Sequence, residues 1–148
     1  MADNKIFAKY TDAETFNKIV DYSSLTDMWE SSVKSCGDSL AVIDEDKEYT
    51  YAELDAEIAA FRAVLTDRGI KAGDVVGLLA PNSVGFIKAY LAINTIGAAA
   101  VLLPAHLDTM TVFGCSMKFG LKGLVYDAAL EEKTEIIKAK APALPLIT

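Results

Sequence analysis

From Val75 onward the chain alternates short apolar runs with stretches of helical length, and this alternation limits the fold more than any single motif. Val75–Ala80, Ala98–Leu103 and Leu124–Tyr126 read as buried strands, and Leu144–Thr148 begins a fourth. Between them lie three predicted helices. The first runs from about Val84 to Ile96; the second is capped by Asp108 or Thr109, carries Met110, Phe113 and Met117, and stops at Gly120; the third is a charged helix, Ala128–Ala141, capped by Asp127. Strands and helices of these lengths in strict alternation predict a mainly parallel sheet with helices on its faces, an α/β fold.

The first half reads differently. Thr11 and Glu14 stand at capping-box spacing ahead of Phe16, Ile19 and Val20, and a second helix starts near Ser24 with Leu25, Met28, Trp29 and Val33 on one side and Gly37 after it. Together they predict an N-terminal helical arm. Leu40–Ile43 and Glu48–Tyr51, joined by an acidic turn, read as a short β-hairpin. Thr50, three residues before Glu53, then opens a helix with Leu54, Ile58, Phe61 and Leu65 at helical spacing, ended by Gly69.

Composition narrows the function classes. With 52% hydrophobic residues, 148 residues suffice to bury roughly 70% of the unfolded surface in one domain. A net charge of -7 leaves no clustered cationic face for a phosphate backbone, and Lys138–Lys140 reads as one side of a solvated helix, so nucleic acid is not an expected partner. Cys36, Cys115 and the single histidine, His106, are too scattered for a metal cage or a disulfide framework; both thiols are expected to be small core residues in a reducing, cytoplasmic setting. Met1–Tyr10 lacks the basic-then-apolar order of a secretory signal. Val84–Ala105 is apolar enough to invite a membrane reading, but Lys88 inside it and Gly97 and Pro104 along it favour a buried helix followed by a buried strand, hence no stable span.

Several segments, taken in order, resemble one family. Thr50-Tyr51-Ala52-Glu53-Leu54 resembles the first motif of the adenylate-forming (AMP-binding) enzymes, the superfamily of acyl-CoA synthetases, peptide-synthetase adenylation domains and luciferases. Alone it is only a helix cap. The order continues through Leu65–Gly69, Ile70–Val76, Pro81-Asn82-Ser83 and Phe86–Ala92, then Gly97–Pro104, which resembles the family's second motif, and Phe113–Asp127. The interval before Gly97 runs about two residues longer than the family pattern, which leaves the register of that strand open.

The resemblance implies an acyl-CoA synthetase-like ligase whose full-length form joins a carboxylic acid to AMP and then forms a thioester, using ATP, Mg and coenzyme A. The likeness spans roughly Leu25 to Asp127, and residues 25–148 are expected to be the N-terminal portion of the AMP-binding domain behind a 1–24 extension. The final apolar run, Leu144–Thr148, makes the chain look cut short at its C-terminal end. The family's phosphate-binding loop, ribose-binding aspartate, hinge and catalytic lysine fall outside this stretch, so no catalytic, cofactor-binding or metal residue is assigned, no cofactor is expected bound and the isolated chain is expected to be inactive. Lys34–Ser39 has some residue types of a phosphate loop but precedes a strand instead of opening a helix. His106 falls beyond a strand's carboxyl end, where open sheets place ligands, yet reads first as a loop residue; Asn82 and Ser83 read as turn and cap. Self-association through an exposed sheet edge is a further expectation. The alternative reading is a free-standing flavodoxin-like binding or interaction module without catalytic activity.

Overall fold

A computed structural model describes residues 11–20 and 22–148. Helix α1 (Ala13–Val20) opens it, and its cap is Asp12 rather than Thr11, because the Asp12 carboxylate accepts from both the main-chain N–H and the hydroxyl of Thr15. The side chains of Phe16, Ile19 and Val20, the expected apolar face, lie outside the described residues. Helix α2 (Leu25–Cys36) starts where Ser24 accepts the Asp27 N–H and buries Trp29, whose indole N–H donates to Asp55 at 2.7 Å. Met28, expected on that same side, is exposed.

Strands β1 (Leu40–Asp44) and β2 (Lys47–Thr50) form the antiparallel hairpin, and Glu45 turns the corner at positive φ. Helix α3 (Tyr51–Asp67) begins at a complete capping box. The Glu53 N–H donates to the Thr50 hydroxyl, while the Glu53 carboxylate takes the Thr50 N–H in return. Leu54, Ile58 and Leu65 are buried along one side, and Gly69, at φ 86°, lets the chain reverse where another side chain is strained.

The rest is the parallel sheet. Strand β3 (Val75–Ala80), helix α4 (Val84–Thr95), strand β4 (Ala99–Pro104), helix α5 (Thr109–Phe119), strand β5 (Gly123–Tyr126), a 3₁₀ turn (Ala128–Leu130), helix α6 (Glu131–Lys140) and strand β6 (Leu146–Ile147) follow in turn. The strand order is β4-β3-β5-β6, all parallel. Register between β3 and β4 is unbroken from Val75 opposite Ala99 to Ala80 opposite Pro104, which settles what the longer interval before Gly97 left open.

Alternation along β3 divides the core into two. Val76 and Leu78 join α2, α3 and α4 on one face, together with Val125 and Ile147. Leu79 joins Leu103, Leu124, Val112 of α5 and Ile137 of α6 on the other. Gly77 lies on this second face, where a Cβ would come within 2.6 Å of Leu121 and 2.8 Å of Leu124; glycine here is a packing requirement.

Helix α5 presents a different face from the one expected. Val112 and Ser116 are buried, whereas Met110 and Met117 are 55% and 63% exposed. Val112 packs with Leu79, Leu103 and Leu124 in the second core, and Ser116 settles its hydroxyl on the Val112 carbonyl at 2.9 Å. The charged helix is also not one piece: Asp127 caps only the 3₁₀ turn, and Leu130, at φ -106° and ψ 14°, separates that turn from α6. Among the described residues no helix is long and apolar enough to cross a membrane, and Val84–Ala105 is α4 followed by β4.

Candidate functional site

In an open parallel sheet, ligands favour the crevice outside the carboxyl ends of the strands where the strand order reverses. Here β3 leads to β4 on one side while β5 lies on the other, so the reversal falls between β3 and β5. A cavity of about 600 Å³ opens beside it. Its walls are mostly apolar, with Phe61 and Val64 from α3, Ala89 from α4, and Leu78 and Val125 from the sheet; Glu57, Lys88, Asp127 and Thr148 supply the polar groups.

Lys88 interrupts an otherwise apolar helix and is answered within the fold. Its ammonium donates to Glu57 at 2.7 Å, and Lys47 of the hairpin stands 3.7 Å from the other Glu57 oxygen. The Lys88 hydrogen bond, before any longer-range charge, holds the Glu57 carboxyl below the usual glutamate range. A carboxylate so anchored is not available as a general base near neutral pH, which needs a pKa close to the working pH.

Helix N-termini at this edge are the natural anion sites, since their amides point outward with no intrahelical partner. At α4, α5 and the 3₁₀ turn the protein fills them with its own oxygens, whereas α6 starts without a side-chain cap. At α4 the Ser83 hydroxyl accepts the Phe86 N–H at 3.2 Å, and Asp44, reaching over from β1, accepts the Val84 N–H at 2.9 Å. At α5 one Asp108 oxygen accepts the N–H groups of Met110 and Thr111 at 3.0 Å, and the other takes the Thr111 hydroxyl at 2.6 Å. These bonds, led by the Thr111 hydroxyl, depress the Asp108 carboxyl. After β5, Asp127 accepts from Ala129 at 2.9 Å. Each carboxylate supplies the negative charge that a bound phosphate would bring.

The residues singled out from the sequence fall as follows. Asn82, His106 and Phe86 border a shallow hollow of about 340 Å³ at the ends of β3 and β4. No carboxylate lines that hollow, so His106, exposed in its loop, has no acid to orient it there. Ser83 is the cap of α4, and its hydroxyl leans to the Pro81 carbonyl at 3.4 Å. The histidine's loop is pinned by a contact the sequence did not reveal: Lys133 of α6 donates to the carbonyls of Ala105 and Leu107 at 2.6 and 3.0 Å. Lys34–Cys36 close α2 and Gly37–Ser39 lead into β1, offering carbonyls instead of amides, Gly37 accepting from Ala52 and Ser39 from Tyr51.

Cys115 is half-buried against the second core, but Cys36, expected inside, is exposed. It shares the Trp29 stripe of α2, yet it is the helix's last residue, past the part that the neighbouring elements cover. Among the described residues no three histidine, cysteine or carboxylate side chains gather as a metal site.

Comparison with known proteins bears on the whole arrangement. The family model described as AMP-binding enzyme matches residues 29–147. A beauvericin nonribosomal cyclodepsipeptide synthetase from Beauveria bassiana is 41% identical over 71 residues, which make up 48% of this chain and 2% of that protein. The medium-chain fatty-acid–CoA ligase of Escherichia coli K12 is 34% identical over 93 residues, 62% of this chain and 16% of the ligase. The N-terminal domain of FACL13 from Mycobacterium tuberculosis superposes with a TM-score of 0.78 at 27% identity, covering 85% of this chain and 34% of that one. The chain thus spans a small part of the length of the relatives it matches. A match across residues 29–147, on a parallel sheet of the same form, places this chain in the AMP-binding enzyme family, the adenylate-forming ligases.

Proposed function

We propose that this chain is the front portion of an ATP-dependent acid–thiol ligase, whose complete form makes an acyl-adenylate from a carboxylic acid and passes the acyl group to coenzyme A. The observation that carries the reading is the family match across residues 29–147; on this proposal residues 25–148 act as scaffold behind a 1–24 extension. Coenzyme A as acceptor is supported by the likeness to the fatty-acid–CoA ligase, 34% identical over 62% of this chain.

The residues present do not fit the phosphates of Mg-ATP. The N-termini of α4 and α5 and the start of the 3₁₀ turn are occupied by Ser83, Asp44, Asp108 and Asp127, and Lys88 is paired with Glu57. Phosphoryl chemistry depends on preorganised donors and cations around developing charge, and the amides and the ammonium named here are already bonded within the chain. The chain's own contribution is therefore positional: the hairpin, through Asp44, and α6, through Lys133, hold fixed the loops that follow β3 and β4.

Two measurements test this. Calorimetric titration of the 148-residue chain with Mg-ATP is expected to give no binding heat at micromolar concentrations; a micromolar Kd overturns the scaffold assignment. The full-length parent, supplied with ATP and a panel of carboxylic acids, is expected to release pyrophosphate and yield an acyl-CoA visible by mass spectrometry. Loading of a pantetheinylated carrier, with coenzyme A left unacylated, contradicts the choice of acceptor.

A further inference from the structure

We propose that α6 is a linkage: through Lys133 it couples the end of β5 to the loop after β4, so that displacing either shifts the other. The inference does not rest on the adenylation reading. Strands β4 and β5 both run parallel to β3, which puts the two coupled ends at the carboxyl edge, where open sheets meet their ligands.

At the β5 end, the Asp127 N–H donates to the Leu79 carbonyl of β3 at 3.0 Å, which ties this residue to the sheet. Its carboxylate accepts from Ala129 at 2.9 Å and its carbonyl from Leu130 at 2.8 Å, so the 3₁₀ turn is held to Asp127 in turn. Helix α6 joins that turn through Leu130, whose backbone is not helical, and its first turn has no side-chain cap. Ile137, fully buried in the second core, anchors the helix further along. The first turn is left to be positioned by what it touches on either side.

On the β4 side that contact is Lys133. Thr134 spends its hydroxyl on Glu131 of its own helix and Lys138 pairs with Glu135, so among the described residues Lys133 is the α6 side chain that hydrogen-bonds to another element. Its acceptors, the carbonyls of Ala105 and Leu107, stand on either side of His106. A charged donor bonded to the chain before and after one residue restrains that residue strongly. The loop's other bonds are local: the Leu107 N–H donates to Pro104, and Asp108 caps its own helix. A shift of the 3₁₀ turn therefore reaches the first turn of α6, and the two Lys133 bonds carry it to His106, beside the hollow that this residue lines.

His106 is the chain's single histidine, so its imidazole protons give one assignable set of NMR signals. Asp127→Ala removes the cap of the 3₁₀ turn and is expected to move those signals. In the Lys133→Met background, which keeps the stem and loses the ammonium, the same substitution is expected to leave them in place, and Lys133→Arg is expected to restore the response. Coupling of this kind is reciprocal. Lys133→Met should therefore speed amide hydrogen exchange at Leu107, by roughly tenfold, and also at Leu130 on the other side of the linkage. A lysine that merely stabilises the fold would lower the unfolding midpoint and leave the response to Asp127→Ala intact, and that result overturns the proposal. Histidine signals indifferent to Asp127→Ala overturn it as well. If Asp127→Ala fails to fold, the exchange measurement decides alone, and an unchanged rate at Leu130 sinks the linkage.

Discussion

Thr50 and Glu53 show how much a pair of side chains can fix. The threonine hydroxyl accepts from the Glu53 N–H at 3.2 Å and donates to the Glu53 carboxylate at 3.0 Å, so the end of β2 and the start of α3 share one residue. Thr50→Ala removes the cap and is expected to cost about 1 kcal/mol, read as a lower urea midpoint at constant m. Acid adds a second readout. The Glu53 carboxyl is held below the usual range, first by the Thr50 main-chain N–H and then by its hydroxyl. A carboxyl depressed on folding contributes stability above its unfolded pKa, about 4.3 for glutamate, and that contribution is lost as pH falls through the lower folded value. Glu53→Gln is therefore expected to flatten the decline in stability below about pH 4.3 while Asp12, Glu57 and Asp108, depressed for like reasons, preserve part of it. An unchanged acid slope would show that the box does not form.

At the scale of elements, β3 is where local signals and packing agree. Gly73-Asp74 before it and Pro81 after it bracket Val75–Ala80, and the strand has those bounds. Within it, Gly77→Ala keeps the strand's propensity and adds only a methyl, so any loss reports packing. That methyl meets Leu121 and Leu124, and an expected cost of about 1–3 kcal/mol follows from moving two core leucines off their rotamers, measurable by thermal unfolding. The same reasoning shows where sequence is a poor guide. Met110 and Met117 are as apolar as any core residue, yet the face of α5 that meets the core is the one carrying Val112 and Ser116, which leaves both methionines outward. Leu130 gives no local warning that the charged helix is interrupted there. The site was less legible than the fold. Caps written in neighbouring residues, at Ser83 and Asp108, could be read directly, but Asp44 filling the N-terminus of α4 and Lys133 holding the loop after β4 join residues far apart in the chain.

The two cores touch across a single layer of strands, and the molecule's cooperativity rests on that layer. Leu78 and Leu79 are adjacent in β3 yet belong to opposite cores, so displacing the strand disturbs both at once. Trp29, the only tryptophan, is 8% exposed, packs on the α2–α4 side and lies 5.7 Å from the Tyr51 ring, making it a reporter of one core alone. Leu79→Ala empties part of the other core and is expected to cost about 2–5 kcal/mol. If the sheet couples the cores, the Trp29 fluorescence midpoint falls together with the far-ultraviolet dichroism midpoint, as one transition requires. If instead the α5–α6 layer loosens by itself, dichroism shifts while Trp29 holds its original midpoint, and the chain is two folding units sharing a strand.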